Sequence, residues 1–431
     1  LSNVLESHFL EDRLPNMDRL HVVILDEELP YPLTSGKRIR SANLVTRLAR
    51  RHRITYVCHR NGSANEAAAA REYFADHGIA TIVVDRRVPP QRGLGFYWRL
   101  AANLLSPLPY SVASHTSREL NQAVADLAAR ERVDLWQCEW TPYAAAMRGL
   151  PDARWVVMAH NVESLIWQRY YETEQHPLRR WYIEKQWRKF AAFERCAFAA
   201  ANCAIAVSDA DAELAERDFG ARRVAVVDNG VDTQFFTPGD GPREAERLLF
   251  LGSLDWRPNQ DGVRHFLERV FPLVRQGAPR CELDIVGRNP PPWLTALVAA
   301  TPGARLCANV PDVRPWLRSA TLMVTPLRIG GGSRLKILES LACELPVVST
   351  TVGCEGLELE AGRHLTVADA PEEFASCVLA RLRDRSGSAQ QARAGREVVL
   401  RRYDWDALAD RLDEVWRTYA EAASVQLVGA A

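Results

Sequence analysis

Between Arg328 and Glu339 the chain reads Arg-Ile-Gly-Gly-Gly-Ser-Arg-Leu-Lys-Ile-Leu-Glu, which sets three consecutive glycines, the cations Arg334 and Lys336 and a carboxylate at one junction. Gly330, Gly331 and Gly332 let the backbone approach a ligand closely and adopt positive φ. From Ser333 to Cys343 the apolar residues Leu335, Ile337, Leu338, Leu341 and Ala342 recur with helical spacing. The first N–H groups of that helix, with Arg334 and Lys336, supply positive potential for an anion. Glu339, about one and a half turns in, reaches a hydroxyl beside that anion. This is the chemistry of a phosphorylated, hydroxyl-bearing ligand. The competing reading of the segment, taken alone, is a strand-to-helix turn with a solvated arginine and lysine.

Other junctions repeat the pattern. Gly36, Lys37 and Arg38 follow the apolar run His21–Asp26 and precede a helix expected over Ile39–Arg50. They can meet a diphosphate or merely turn the chain, since the Gly-x-Gly-x-x-Gly spacing of a dinucleotide site is missing. His160, Asn161 and Glu163 leave the end of the run Trp155–Met158. There His160 can hydrogen-bond a sugar hydroxyl near a reacting carbon, and Glu163 can cap the next helix or touch an acceptor. Gly252, Arg257 and Asn259 join Leu248–Leu251 to a helix and offer N–H groups and a cation to phosphate. Gly287 with Arg288, and Val310 to Val313 with Asp312, end later runs and suit the edge of a nucleoside; singly, each is equally well a turn. Ile166 to Phe190 mixes Trp167, Tyr170, Tyr171, Trp181, Tyr182 and Trp187 with Arg179, Arg180, Lys185, Arg188 and Lys189. Such a face lies either at an anionic membrane surface or over a core that takes up the rings.

The elements that must position these residues alternate. Apolar runs at His21–Asp26, Ile54–Cys58, Ala80–Asp85, Val133–Trp136, Trp155–Met158, Cys203–Val207 and Arg223–Val227 have helical stretches between them, the signature of a parallel sheet covered on both faces. Prolines and glycines in Phe236–Arg243 interrupt the pattern and predict a linker over 236–245 between domains at 1–235 and 246–402. The alternation restarts at Leu248–Leu251, Glu282–Val286, Leu322–Thr325, Pro346–Ser349 and His364–Val367. A last helix over 403–431, with Asp404 or Asp406 as its cap, closes the chain. Two doubly wound α/β domains are therefore expected, with ligands at the carboxyl ends of their strands.

Composition narrows the class. With 431 residues, 47% hydrophobic and a charged fraction of 25% that balances to zero, the chain reads as soluble, with no general argument for a nucleic-acid partner. The N-terminus lacks the pattern of a signal peptide, and nine scattered cysteines without a Cys-x-x-Cys pair suit reduced thiols, so a cytoplasmic location is expected.

Taken in order, Gly36, His160-Asn-Val-Glu163, Ala206-Val-Ser208-x-x-Asp211, Asp228-Asn-Gly-Val-Asp232, Gly252, Gly287, Val310-Pro-Asp312, Gly330 and Pro346-Val-Val resemble the family-4 retaining glycosyltransferases of GT-B fold. The similarity runs over about Val22 to Tyr419 and looks closest to bacterial exopolysaccharide and exosortase-associated sugar transferases. The resemblance implies two Rossmann-like domains facing a cleft, the final helix returning toward the first, transfer from a nucleotide-diphosphate sugar to a glycan or lipid-linked glycan, and no metal or other cofactor. It implies catalytic roles for His160, Lys336 and Arg334, and a ribose contact for Glu339. Donor contacts fall on Gly252, Arg257, Asn259, Gly287, Arg288, Val310, Asp312, Gly330 to Gly332 and Ser333, and acceptor-side roles on Gly36, Lys37, Glu139, Asn161 and Glu163. The family commonly pairs two glutamates eight positions apart, and counting back from Glu339 reaches Gly331 instead. That departure leaves open a sugar-nucleotide-binding protein without transfer; a nucleotide-sugar epimerase ranks last, since no acid–base pair of carboxylates stands out.

Overall fold

The computed structural model describes residues 19–86, 89–90, 92–160, 162–329 and 334–421. Contacts divide the chain into two compact units: one takes the chain through Val207, Asp211–Val226 and the chain from Leu412, the other Ser208–Ala210 and Val227–Arg411.

The first unit holds seven strands: β1 (His21–Asp26), β2 (Arg53–His59), β3 (Ala80–Val84), β4 (Leu135–Cys138), β5 (Trp155–Ala159), β6 (Cys203–Ala206) and β7 (Val224–Val226). All pair in parallel in the order β3-β2-β1-β4-β5-β6-β7. β1 is buried along its whole length, as a central parallel strand covered on both faces must be. Strand order reverses between β1 and β4, which opens a crevice beyond their carboxyl ends. The helix Gly36–Leu48 starts there, capped by Ser35, whose hydroxyl accepts from the Arg38 N–H at 3.3 Å. The final helix, Trp405–Glu421, starts at Asp404, whose carboxylate accepts from the Asp406 N–H at 2.8 Å.

The second unit holds β8 (Arg247–Leu251), β9 (Glu282–Gly287), β10 (Ala304–Ala308), β11 (Leu322–Thr325), β12 (Val347–Ser349) and β13 (Thr366–Val367). They are also parallel, in the order β10-β9-β8-β11-β12-β13, with the reversal between β8 and β11. Leu248 and Phe250 of β8 enter one core cluster with Phe266, Phe271 and Phe374, while Leu249 and Leu251 enter another with Ile337, Leu338 and Leu341. β8 is thus dry on both faces. The turn-rich stretch Phe236–Arg243 lies inside this unit, where the Arg243 guanidinium donates to the carbonyls of Leu317 (2.8 Å), Ala320 (2.9 Å) and Cys343 (2.6 Å). Among the described residues, no helix is long and apolar enough to cross a membrane.

Candidate functional site

At the reversal of the first sheet, the loops after β1, β4 and β5 gather charged side chains. Lys37, in the first turn of its helix, holds its ammonium 2.5 Å from Asp26 and 3.9 Å from Glu27. Asp26 also accepts from the Tyr56 hydroxyl at 2.6 Å; burial, only partly offset by Lys37, raises its pKa, and nearby Glu139 adds to the rise. Glu27 behaves oppositely: against its burial, the hydrogen bond from His115 (3.3 Å) and the charge of Lys37 hold it at about 2. Glu139, just past β4, accepts from the Ser41 hydroxyl and the Gln137 amide, each at 2.6 Å, and lies 3.3 Å from His160 Nε2. Burial works to raise Glu139, but His160, Ser41 and Gln137 together hold it at about 2. The Gln137 carbonyl in turn accepts from the Trp416 indole at 2.6 Å, which ties the final helix to β4.

The second sheet has a cluster at its own reversal. Lys336 donates to Asn259 Oδ1 at 2.7 Å and lies 4.5 Å from the centroid of the Phe250 ring. Asn259 is oriented by its own donation to the Ser253 carbonyl at 2.8 Å. Gly252 makes the room: a Cβ there would sit 2.7 Å from Lys336 Nζ and 2.8 Å from Asn259 Nδ2. Burial, with the charge of Arg334, lowers Lys336 to about 7, and burial raises Glu339 to about 7, each opposed by the other's charge. Arg334 precedes the helix Leu335–Ala342 in the left-handed region, at φ 52°. Its buried guanidinium lies 3.3 Å from the Glu355 carboxylate.

Two family models match adjoining stretches, one described as Glycosyltransferase Family 4 over residues 38–235 and one as Glycosyl transferases group 1 over residues 245–384. The chain belongs to the family-4 glycosyltransferases. A D-inositol 3-phosphate glycosyltransferase of Thermomonospora curvata is 28% identical over 239 residues, 48% of this chain and 54% of the relative. A phosphatidyl-myo-inositol mannosyltransferase of Mycobacterium tuberculosis is 29% identical over 236 residues, 52% of this chain and 61% of that one. The matches thus span little more than half the length of these curated relatives. Among solved structures, a sucrose-phosphate synthase from Thermosynechococcus elongatus aligns with a TM-score of 0.67 at 15% identity, over 94% of this chain and all of that one. Anabaena Alr3699/HepE in complex with UDP and glucose aligns with a TM-score of 0.63 at 14% identity, over 93% of this chain and 100% of its own. These two likenesses establish the GT-B fold.

In this family-4 chain Lys336, Asn259 and Gly252 meet, with Glu339 one turn along the helix. Arg257 is exposed as the first residue of the helix Arg257–His265, and Arg288 is exposed just past β9. Gly287, read from the sequence as a place for close ligand approach, has close protein neighbours: a Cβ there would run into the carbonyl oxygen of Gly252 and stand 2.7 Å from Leu254 Cγ. Gly287→Ala is accordingly expected to cost about 1–3 kcal/mol through overpacking against backbone, measured as a lowered denaturation midpoint; an unchanged midpoint would show that the loop after β8 yields freely. Val310 is half-buried against the core. Asp312 is gripped by the Arg314 guanidinium at 2.9 and 2.7 Å, and that guanidinium covers the Phe235 ring at 3.7 Å.

On the first unit, Gly36 opens its helix and leaves the contacts to Lys37. Glu163 does not cap the helix Glu163–Thr173: that role falls to Glu194 of the helix Pro177–Ala200, which accepts from the Glu163 and Ser164 N–H groups at 2.8 and 3.1 Å. Glu163 instead accepts from the Trp140 indole at 2.9 Å. Asn161, Gly330, Gly331, Gly332 and Ser333 lie outside the described residues. Sequence reasoning missed Asp26, Glu27, His115 and Trp140. Asp26 ends an apolar strand as His160 follows one, so the same rule would have flagged it. Nothing local links Gln137 to Trp416, 279 positions apart.

Proposed function

We propose that this chain transfers a sugar from a nucleotide-diphosphate sugar to a hydroxyl of a glycan or lipid-linked glycan in exopolysaccharide or glycoconjugate synthesis, with retention of anomeric configuration and without a metal ion. The observation that carries the reading is Lys336 set on Asn259 and Gly252, one helical turn before Glu339. In this reading Lys336 meets the charge that grows on the diphosphate as the bond from the sugar's anomeric carbon to the phosphate oxygen breaks. Glu339 holds the ribose, and Arg334, fixed by Glu355, adds positive potential at the helix start. His160 hydrogen-bonds a hydroxyl of the transferred sugar, and Glu139 keeps its imidazole in place. The acceptor hydroxyl attacks on the side the diphosphate leaves, forming the new glycosidic bond and giving its proton to a diphosphate oxygen. HepE bound to UDP and glucose supports uridine donors as the first class to try.

The test is a transfer assay with UDP-, GDP- and ADP-sugars against a panel of glycan acceptors, with the product's anomeric coupling read by NMR. The expected product keeps the donor's configuration. Inversion would remove the retaining mechanism, and donor binding with no nucleoside diphosphate released in the presence of any acceptor would favour a protein that binds donor without transferring it.

A further inference from the structure

Past β12 the chain makes a short, tightly held turn. Thr350 caps it, its hydroxyl accepting from the Gly353 N–H at 2.9 Å, while the Thr351 N–H and hydroxyl donate to Asp369 at 2.8 and 2.7 Å. Gly353 lies so near the strand ends that a Cβ there would stand 2.7 Å from the Thr325 carbonyl oxygen of β11. This turn delivers Glu355 to Arg334. The carboxylate oxygen Oε2 lies 3.3 Å from the guanidinium, and the Glu355 carbonyl accepts from Arg334 Nε at 3.4 Å. The arginine side chain is 6% exposed and the glutamate side chain 65%. Both contacts are long and the carboxylate stands open to water, so the pair adds little to the stability of the fold. Among the described residues, Glu355 Oε1 makes no hydrogen bond.

The acids that follow it in sequence are already committed. Glu358 pairs with Arg402, Glu360 lies 3.3 Å from Arg363, and Asp369 holds Thr351. On the other side, Arg334 is near enough to Lys336 for its charge to be felt there, and Lys336 and Glu339 feel each other's. These four groups therefore run from a carboxyl through two cations to a second carboxylate. A nucleotide-diphosphate sugar alternates in the same sense, from ribose hydroxyls through phosphates to sugar hydroxyls. Glu355 repels phosphate, so the part of a ligand that rests against it carries no negative charge. A carboxylate only accepts hydrogen bonds, and a sugar hydroxyl can donate one. Between Arg328 and Glu339 the chain holds no acid, so the loop after β12 is where this carboxylate comes from.

We propose that Glu355 recognises the transferred sugar: its Oε1, held open beside Arg334, accepts hydrogen bonds from hydroxyls of the donor's hexose. The proposal rests on the reading of this chain as a nucleotide-sugar transferase and deepens it. It narrows the donor to one whose sugar presents free, uncharged hydroxyls on the Arg334 side of the diphosphate. The competing role for Glu355 is an ion pair that only orients Arg334. That role makes a different demand, because an orienting residue acts on the diphosphate whether or not a sugar is attached.

Calorimetric titration of the full chain with a nucleoside diphosphate and with its hexose conjugate, in the uridine, guanosine and adenosine series, separates the two. Glu355→Gln is expected to weaken the hexose conjugate about tenfold, as loss of a hydrogen bond to a charged group does, and the free diphosphate less than about twofold, with the thermal melt unchanged. Conjugates lacking one hexose hydroxyl give a second readout. At least one should bind wild type about tenfold more weakly than its parent, and that same deletion should cost Glu355→Gln nothing. Glu355→Asp, which withdraws the carboxylate by one methylene, offers the same contrast should Glu355→Gln fold poorly. Equal losses for diphosphate and conjugate would leave Glu355 only the orienting role and overturn the proposal. So would no loss in either, or tighter binding of the free diphosphate, which would make the carboxylate a gate against phosphate. Failure of wild type to bind any conjugate would sink the nucleotide-sugar reading and this proposal with it, whereas binding and transfer by wild type without the Glu355→Gln contrast would sink this proposal alone.

Discussion

Lys336→Ala is expected to lower turnover about 10²–10³-fold, equivalent to roughly 2.7–4 kcal/mol of transition-state stabilisation, the usual effect of deleting one preorganised donor at a developing charge. Acceptor affinity should move little, and the thermal melt near pH 7 should not fall, because burial makes the charged lysine costly to the folded chain. Steady-state kinetics against a calorimetric melt separates the two; unchanged turnover at equal stability would remove Lys336 from the reaction. The same residue predicts a proton linkage. Between about 7 and 10.5 the unfolded chain keeps a proton on Lys336 that the folded chain has lost, so this lysine makes stability rise with pH across that window. Glu339 acts with the opposite slope: between 4.5 and about 7 the folded chain holds a proton that the unfolded chain has released, so stability falls as pH rises there. An anionic donor recharges Lys336, so binding above pH about 7 should take up a proton and weaken as pH climbs. Titration calorimetry in two buffers of different ionisation enthalpy measures that uptake. Lys336→Met should abolish it, and uptake that persists in the variant would place the titrating group elsewhere.

The second large effect belongs to Glu139. Glu139→Ala is expected to cost about 3–5 kcal/mol of stability, since it removes the partner of two buried donors, Ser41 and Gln137, and of the His160 ring. Glu139→Gln keeps an oxygen for Ser41 and should lose less. Because the folded carboxyl is held at about 2, below its ordinary 4.5, its contribution is present above 4.5 and is lost as pH falls through about 2. Acid unfolding of Glu139→Gln should therefore be flatter than wild type across that window, and a parallel acid limb would show that the carboxylate's charge contributes nothing to the fold.

Both sheets were legible because buried parallel strands read as short apolar runs, and β1, β5 and β11 are dry along every residue. β10 escaped for the converse reason. It is an edge strand, partly exposed, and its Arg305 reaches back to Asp284 at 2.9 Å, so Ala-Arg-Leu-Cys-Ala offers no apolar run to read. At the site, residues at strand ends could be picked out singly from the expectation that ligands bind there. Their partners could not. That Lys336 rests on Asn259, that Arg334 faces Glu355 and that Glu194 caps a helix started by Glu163 are facts of tertiary packing, written in no local pattern. Gly287 is ambiguous for a related reason: a glycine that admits a ligand and one that admits a neighbouring carbonyl look the same in sequence.

The central claim is that the helix beginning at Leu335 offers Lys336 and Glu339 to a nucleotide sugar. Saturation-transfer NMR with UDP-, GDP- and ADP-sugars, repeated on Glu339→Ala, tests it most directly. The account predicts saturation of one nucleotide class, with ribose and sugar protons both in contact, and a loss of about tenfold or more in affinity on the substitution. No transfer of saturation to any of the three, or an affinity that Glu339→Ala leaves unchanged, would contradict it.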